Sequence, residues 1–256
     1  MQLPATPKAL LIDLAGVLHV GDHALPGAVE ALARLRATGV PLRFLTNTTR
    51  SPRRPILALL RGLGFDIAED EIHTAVHATR QLVDRRGLRP HYLIHPDIAD
   101  EMGASDPQPN AVVIGDAGPL FTFDGLNAAF RLLMQGLPLI AMARNRYFKE
   151  TDGLSLDLGA FVAALEYGAG IEAEVVGKPA QPFFHGALQE LGVAPGAAVL
   201  IGDDLRDDIG GAQRAGIAGI LVRTGKFRPE DETDPQVRPA LVVDDFAAAV
   251  SAIVDR

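Results

Sequence analysis

The sequence predicts an α/β protein, with a Rossmann-like, doubly wound parallel-sheet core and a small inserted α/β domain. Three observations predict it. Short apolar runs alternate with stretches whose apolar residues recur at helical spacing, which is the pattern of repeated βα units. Several runs end in polar residues, as they do at the carboxyl edge of a parallel sheet, where ligands bind. Between about His77 and Ile171 the alternation is interrupted by a stretch far too long for a loop, with βα signals of its own.

Taken in order, Lys8 to Leu14 reads as a strand and Pro26 to Thr38 as a helix. Pro26 sits near the first turn, where a missing N–H is harmless. Pro41 to Leu45 is a second strand, running into Thr46-Asn47-Thr48-Thr49, and Pro52 to Gly62 a second helix closed by Gly62 and Gly64. In the insertion, Tyr92 to Ile94, Ala111 to Ile114 and Leu139 to Ala143 read as strands, and Leu126 to Met134 as a helix. Turn-rich stretches fall at Ser105 to Asn110 and Glu150 to Gly153. The core alternation resumes with strand Glu174 to Val176, helix Pro182 to Leu191, strand Ala197 to Ile201 and helix Asp208 to Ala215. Strands Gly219 to Val222 and Leu241 to Val243 and the helix Phe246 to Ile253 complete it. The expected division is a core of residues 1–76 and 172–256 and an inserted α/β domain of residues 77–171.

Bulk properties narrow the function classes. The 256 residues carry 24 Lys plus Arg against 32 Asp plus Glu, a net charge of −8. An acidic chain without a basic run points away from nucleic acid and anionic membrane as partners. With no cysteine there is no disulfide and no thiolate metal site, so a metal must be held mainly by oxygen. The segment MQLPATPKALLID lacks the apolar core of a signal peptide. No apolar run approaches the roughly 20 residues that span a bilayer. A cytoplasmic protein is expected.

Four polar groups fall just past expected core strands: Asp13, Thr46-Asn47, Lys178 and Asp203. Two carboxylates with backbone carbonyls suit a hard ion such as Mg²⁺, which keeps waters and takes phosphate oxygens. A Thr hydroxyl and a Lys ammonium supply donors to phosphoryl oxygens. Together they describe a phosphoryl-transfer site. Each group also has a plain structural reading. A strand-end Asp forms turns and caps helices. Thr46 to Thr49 can cap the next helix, and Lys178 before Pro179 can be a loop lysine. The acidic run Asp203, Asp204, Asp207 and Asp208 suits a helix start. Val242-Val243-Asp244-Asp245 and Ile114-Gly115-Asp116 read best as a cap and a turn.

The segments LIDLAGVL, FLTNTT, VVGKP and IGDDLRDDIGGAQRAG resemble, in order and spacing, the four motifs of the haloacid dehalogenase-like phosphatases. The insertion between the second and third matches the subfamily with a large α/β cap, and the likeness covers essentially the whole chain. The resemblance implies that Asp13 attacks phosphorus and becomes an aspartyl-phosphate. It implies that Thr46 and Asn47 hold phosphoryl oxygens and that Lys178 orients the nucleophile and neutralises charge. It further implies Mg²⁺ bound by Asp13, Asp203 and the backbone carbonyl of Ala15, with Asp208 in support. A small phosphorylated substrate is expected, and a homodimer by analogy with related caps.

At Ala15 the sequence departs from the pattern. Most of these phosphatases have an aspartate there that protonates the leaving group and then activates water; the branch resembled here has serine. Alanine keeps the carbonyl role and loses the proton-transfer role. Such help is typically worth about 10²–10⁴ in rate, or roughly 3–5 kcal/mol of barrier. Substrates that leave without a proton are therefore expected: pyrophosphate, P–N bonds and aryl phosphates. The alternative is an attenuated relative that binds a phosphorylated ligand or protein. In the cap, Asn145, Arg146 and Tyr147 form a polar cluster suited to substrate binding, or else an ordinary loop. His19 and His23 lie nearest the site in sequence; a structural role for them stands beside a partial acid–base role.

Overall fold

The computed structural model describes residues 1–149 and 153–255. The turn-rich stretch expected at Glu150 to Gly153 lies, for its first three residues, outside them. The chain forms two compact units, Met1–Thr46 with Arg53–His73 and Lys178–Arg256, and Asn47–Pro52 with Thr74–Gly177.

The first unit is built on a six-stranded sheet in the order Leu241–Val243, Ala218–Val222, Ala198–Gly202, Ala9–Asp13, Leu42–Thr46, Ile72–Thr74. The pairings along Leu241–Val243 through Leu42–Thr46 are parallel. Every residue of Ala9–Asp13, Ala198–Gly202 and Ala218–Val222 is buried. That is why these strands read as continuous apolar runs rather than alternating ones: helices cover both faces of a parallel sheet. One face packs Leu10, Ile12, Phe44, Val199 and Ile201 against Leu32 and Leu35 of helix Ala28–Arg36 and Phe246 and Val250 of helix Phe246–Val254.

The second unit has its own four-stranded parallel sheet, in the order Glu174–Val175, Leu139–Ala141, Ala111–Ile114, Pro90–Leu93. Its longer helices are Ala75–Arg86, Phe123–Leu133 and Leu158–Ala169, and a small antiparallel pair joins Tyr147–Lys149 to Leu154–Leu156. Thr74 caps the first of these helices by accepting from the His77 N–H at 2.9 Å. Among the described residues no helix is long and apolar enough to cross a membrane.

One strand is reassigned. Glu174–Val175 pairs with Leu139–Ala141 in the second unit's sheet, so it does not resume the core as its place in the sequence suggests. Glu174 is exposed and ion-paired to Arg86 at 2.7 Å. A two-residue edge strand with a charged, solvated side chain lacks the apolar run that a central parallel strand requires.

Candidate active site

Asp13 ends a strand flanked by Ala198–Gly202 on one side and Leu42–Thr46 on the other. Ile12 is in register with Ile201 and Asp13 with Leu45, so Asp13, Thr46 and Asp203 emerge at one edge of the sheet. The chain runs outward from Asp13 through Leu42–Thr46 and Ile72–Thr74, then returns to the other side through Ala198–Gly202. Open α/β sheets bind ligands at such a switch point.

Lys178 follows no strand of this sheet, contrary to the sequence expectation, yet it reaches the same edge. Its buried ammonium donates to Asp13 Oδ1 at 2.5 Å and to Asp208 Oδ1 at 2.7 Å. Asp208 is positioned by a change of helix type. In place of a single helix from Asp208 to Ala215, a π-helical turn spans Leu205–Gly210 and a short α-helix Gly211–Arg214. The Ile209 N–H donates to the carbonyl five residues back, that of Asp204, at 3.2 Å. Asp204 caps this turn by accepting from the backbone N–H of Arg206 and Asp207, both at 2.9 Å. Its own N–H donates to Asp208 Oδ2 at 3.2 Å, which fixes that carboxylate. Such π turns recur at functional sites.

Asp13, Asp203 and Asp208 each offer a carboxylate oxygen, all within 4.8 Å of one another, and all three are buried. Lys178 is the ammonium in their midst. Burial alone would lower its pKa, but Asp13 and Asp208 outweigh that and hold it above the usual lysine range. Burial, with the charges of Asp13 and Asp208, pushes Asp203 up to about 8. Burial pushes Asp208 up to about 6 despite Lys178. Asp207, raised by burial and by Asp204, also stands at about 6. Three buried carboxylates around one ammonium leave negative charge that a divalent cation would neutralise. An all-oxygen donor set is the kind Mg²⁺ and Ca²⁺ take, so the residues present fit the ion the sequence leads one to expect.

The turn after Asp13 places position 15 outward. Ala15 is exposed while Leu14 and Gly16 are buried. Gly16 has φ +91, and a Cβ there would overlap the Asp203 carboxylate; glycine alone fits this turn. The Gly16 N–H donates to the His19 carbonyl at 2.8 Å. The buried His19 ring uses Nδ1 to donate to the Gly21 carbonyl at 2.8 Å, a structural role. His23 is exposed and paired with Asp22 at 2.6 Å.

In the second unit, Asn47 Nδ2 donates to Asn145 Oδ1 at 3.4 Å, so two of the expected substrate-binding residues stand together. Arg146 and Tyr147 are exposed on the same segment. The sequence reading overlooked Asp116, taken there as a turn residue. It is buried, pairs with Arg50 at 3.0 Å, and donates its backbone N–H to Thr49 Oγ1 at 3.3 Å. It thereby anchors the segment that follows Thr46. The sequence reading gave no role to Thr224–Lys226, whose signal was its place just past a core strand, at the same edge as Asp13.

Residues 10–108 match the model of the haloacid dehalogenase-like hydrolases, and residues 175–249 that of the HAD-hydrolase-like family. Over 248 residues the chain is 50% identical to haloacid dehalogenase-like hydrolase domain-containing protein 2 of Bos taurus, covering 96% of each. The chain belongs to the haloacid dehalogenase-like hydrolases. Within that superfamily it is also 46% identical over 255 residues to the phospholysine phosphohistidine inorganic pyrophosphate phosphatase of Danio rerio, covering 96% of this chain and 94% of that one. Its fold matches that of a 4-nitrophenylphosphatase from Thermotoga maritima with a TM-score of 0.90 at 25% identity, over 97% of this chain and 98% of the other. This haloacid dehalogenase-like hydrolase is thus an enzyme of the phosphatase class. Asp13, Thr46, Asn47, Lys178, Asp203 and Asp208 fall inside the two matched ranges, while Asn145 and Arg146 fall outside both.

Proposed function

We propose that the protein is a Mg²⁺-dependent phosphatase that works through an aspartyl-phosphate on small compounds with good leaving groups. The observation that carries this reading is the buried cluster at the sheet's switch point: Lys178 bonded to both Asp13 and Asp208, with Asp203 within 4.8 Å. Asp13 forms a bond from its carboxylate oxygen to phosphorus as the bond to the leaving group breaks. Water then cleaves the acyl-phosphate, returning the carboxylate and releasing phosphate. Lys178 orients Asp13 and offsets charge that builds on the phosphoryl oxygens. Thr46 and Asn47 supply further donors to those oxygens, and Asn145 and Arg146 polar contacts to the rest of the substrate. Asp13, Asp203, Asp208 and the Ala15 carbonyl would hold the Mg²⁺, which would add positive charge against the phosphoryl group.

Ala15 has no proton to give or take. Pyrophosphate, P–N compounds and aryl phosphates expel groups that depart with little protonation, whereas an alkyl phosphate must expel an alkoxide. The relatives named as a phospholysine phosphohistidine inorganic pyrophosphate phosphatase and a 4-nitrophenylphosphatase support this preference. The same alanine favours a second reading, a phosphoryl-binding protein with little turnover.

Phosphate release from pyrophosphate, phosphohistidine, 4-nitrophenyl phosphate and glycerol phosphate, with Mg²⁺ and with chelator, tests the proposal. Metal-dependent release from the first three, abolished by Asp13→Asn, is expected. No release from any of them, with inorganic phosphate still bound, would establish the second reading instead.

A further inference from the structure

The loop Thr224–Lys226 leaves the strand Ala218–Val222 and carries none of the residues assigned a role above. It nevertheless touches two of their supports. Thr224 Oγ1 donates to the Gly16 carbonyl at 2.5 Å. The Lys226 backbone N–H donates to Asp203 Oδ2 at 2.7 Å. Between them Gly225 has φ +60, and a Cβ there would overlap both Asp203 Oδ2 and Gly16 Cα. Two glycine turns therefore meet over one carboxylate oxygen, closer than any side chain would permit.

These contacts fix directions. The N–H and C=O of a trans peptide point opposite ways. Because the Gly16 N–H points at His19, the Ala15 carbonyl points away from it. Thr224 holds the next peptide by its carbonyl, so both peptides flanking Gly16 are pinned. On Asp203, the loop engages Oδ2, leaving Oδ1 outside this hydrogen bond.

We propose that Thr224, Gly225 and Lys226 form a positioning clamp that aims the Ala15 carbonyl and a single oxygen of Asp203 at the divalent cation. By engaging the second oxygen, the clamp favours Mg²⁺ over Ca²⁺. Mg²⁺ demands a tight octahedron, whereas Ca²⁺ readily takes both oxygens of a carboxylate at longer distance. The inference rests on the metal reading given under the proposed function.

Titration calorimetry with MgCl₂ and with CaCl₂ on Thr224→Val, Thr224→Ala and Thr224→Ser tests it, with thermal melts in chelator alongside. Loss of the hydroxyl should weaken Mg²⁺ binding about tenfold, the scale of one hydrogen bond, and narrow the preference over Ca²⁺. The Mg²⁺ concentration for half-maximal activity should rise in parallel while kcat at saturating Mg²⁺ stays close to that of the unaltered protein. Thr224→Ser, which keeps the hydroxyl, should restore both. The alanine variant gives the reading if the valine does not fold. Unchanged Mg²⁺ affinity in the valine and alanine variants, with only a lower melting temperature, would overturn the clamp and leave the metal reading intact. An unaltered protein that binds no Mg²⁺ would overturn the metal reading, and the clamp with it.

Discussion

Lys178 Nζ stands 2.5 Å from Asp13 Oδ1, with both side chains buried. The same ammonium also serves Asp208, so its removal strands two carboxylates. Breaking a buried ion pair by deleting one partner costs about 3–5 kcal/mol. Lys178→Met should lose stability on that scale in chelator, and phosphatase activity should drop at least about 10²-fold. Denaturant unfolding with and without Mg²⁺ checks this; unfolding indistinguishable from the parent in chelator would contradict it.

The exposure of Ala15 between two buried neighbours means a longer side chain there enters open space rather than the core. Ala15→Asp should therefore fold, and it restores a proton donor and acceptor at that position. Turnover of glycerol phosphate should rise by about 10²–10⁴, with a smaller gain on pyrophosphate. Steady-state kinetics on both substrates decide it; equal gains on the two would count against the leaving-group argument.

Without a base at position 15, water attack on the aspartyl-phosphate should be the slow step. Rapid-quench experiments with 4-nitrophenyl phosphate should then show a burst of nitrophenol approaching one equivalent of enzyme. A linear time course from the first turnover would count against a slow hydrolysis of the proposed intermediate.

The raised carboxyls predict a pH trend in stability. Asp203 stands at about 8, and Asp207 and Asp208 at about 6, against an unfolded value near 4. Across that window the folded protein holds protons that the unfolded chain has released, so stability falls as pH rises. Lys178, held above its usual range, contributes stability that is fully present there and is lost only at alkaline pH. In chelator, Tm should decline between about pH 5 and pH 8. If the proposed metal site holds, Mg²⁺ should flatten the decline by binding the ionised carboxylates of the folded state. Scanning calorimetry across this range would refute the trend if Tm rose in chelator.

Asp116 ties Thr49 and Arg50 to the second unit's sheet. Asp116→Ala should cost about 1–3 kcal/mol, because it removes the acceptor of the Arg50 guanidinium and of the Gly118 backbone N–H, the latter 2.9 Å from Asp116 Oδ1, while the backbone bond to Thr49 persists. Because Asn47 begins the anchored segment, KM should rise more than kcat falls. A variant with parental KM would confine Asp116 to folding.

The sequence made the core legible where burial leaves a continuous apolar run. Lys8 to Leu14 becomes Ala9–Asp13, and Leu241–Val243 is found as read. Asp13 and Asp203 stood out as candidates only through their shared place just past core strands, since a strand-end Asp by itself also forms turns and caps helices. Glu174 to Val176 was misplaced because a strand's partner is not written in its own residues, and two residues carry no periodicity. The hairpin of His19–Val20 and His23–Ala24 is silent for the same reason. The π turn at Leu205–Gly210 adds one residue to a helical repeat, too little to disturb the pattern. The contact of Gly225 with Gly16 joins residues far apart in the chain, and no local signal announces it.

The interior position of Ala9–Asp13, bonded to a strand on either side, also sets the order in which the molecule comes apart. Amides of a fully buried inner strand exchange with solvent only when the whole cooperative unit opens, whereas loops exchange through local fluctuations. Leu10 to Ile12 should therefore be among the slowest-exchanging amides, and Thr224–Lys226 among the faster ones. Asp13 is thus rooted in the part of the protein that opens last, so the loops around it can loosen and re-form while its carboxylate stays in place.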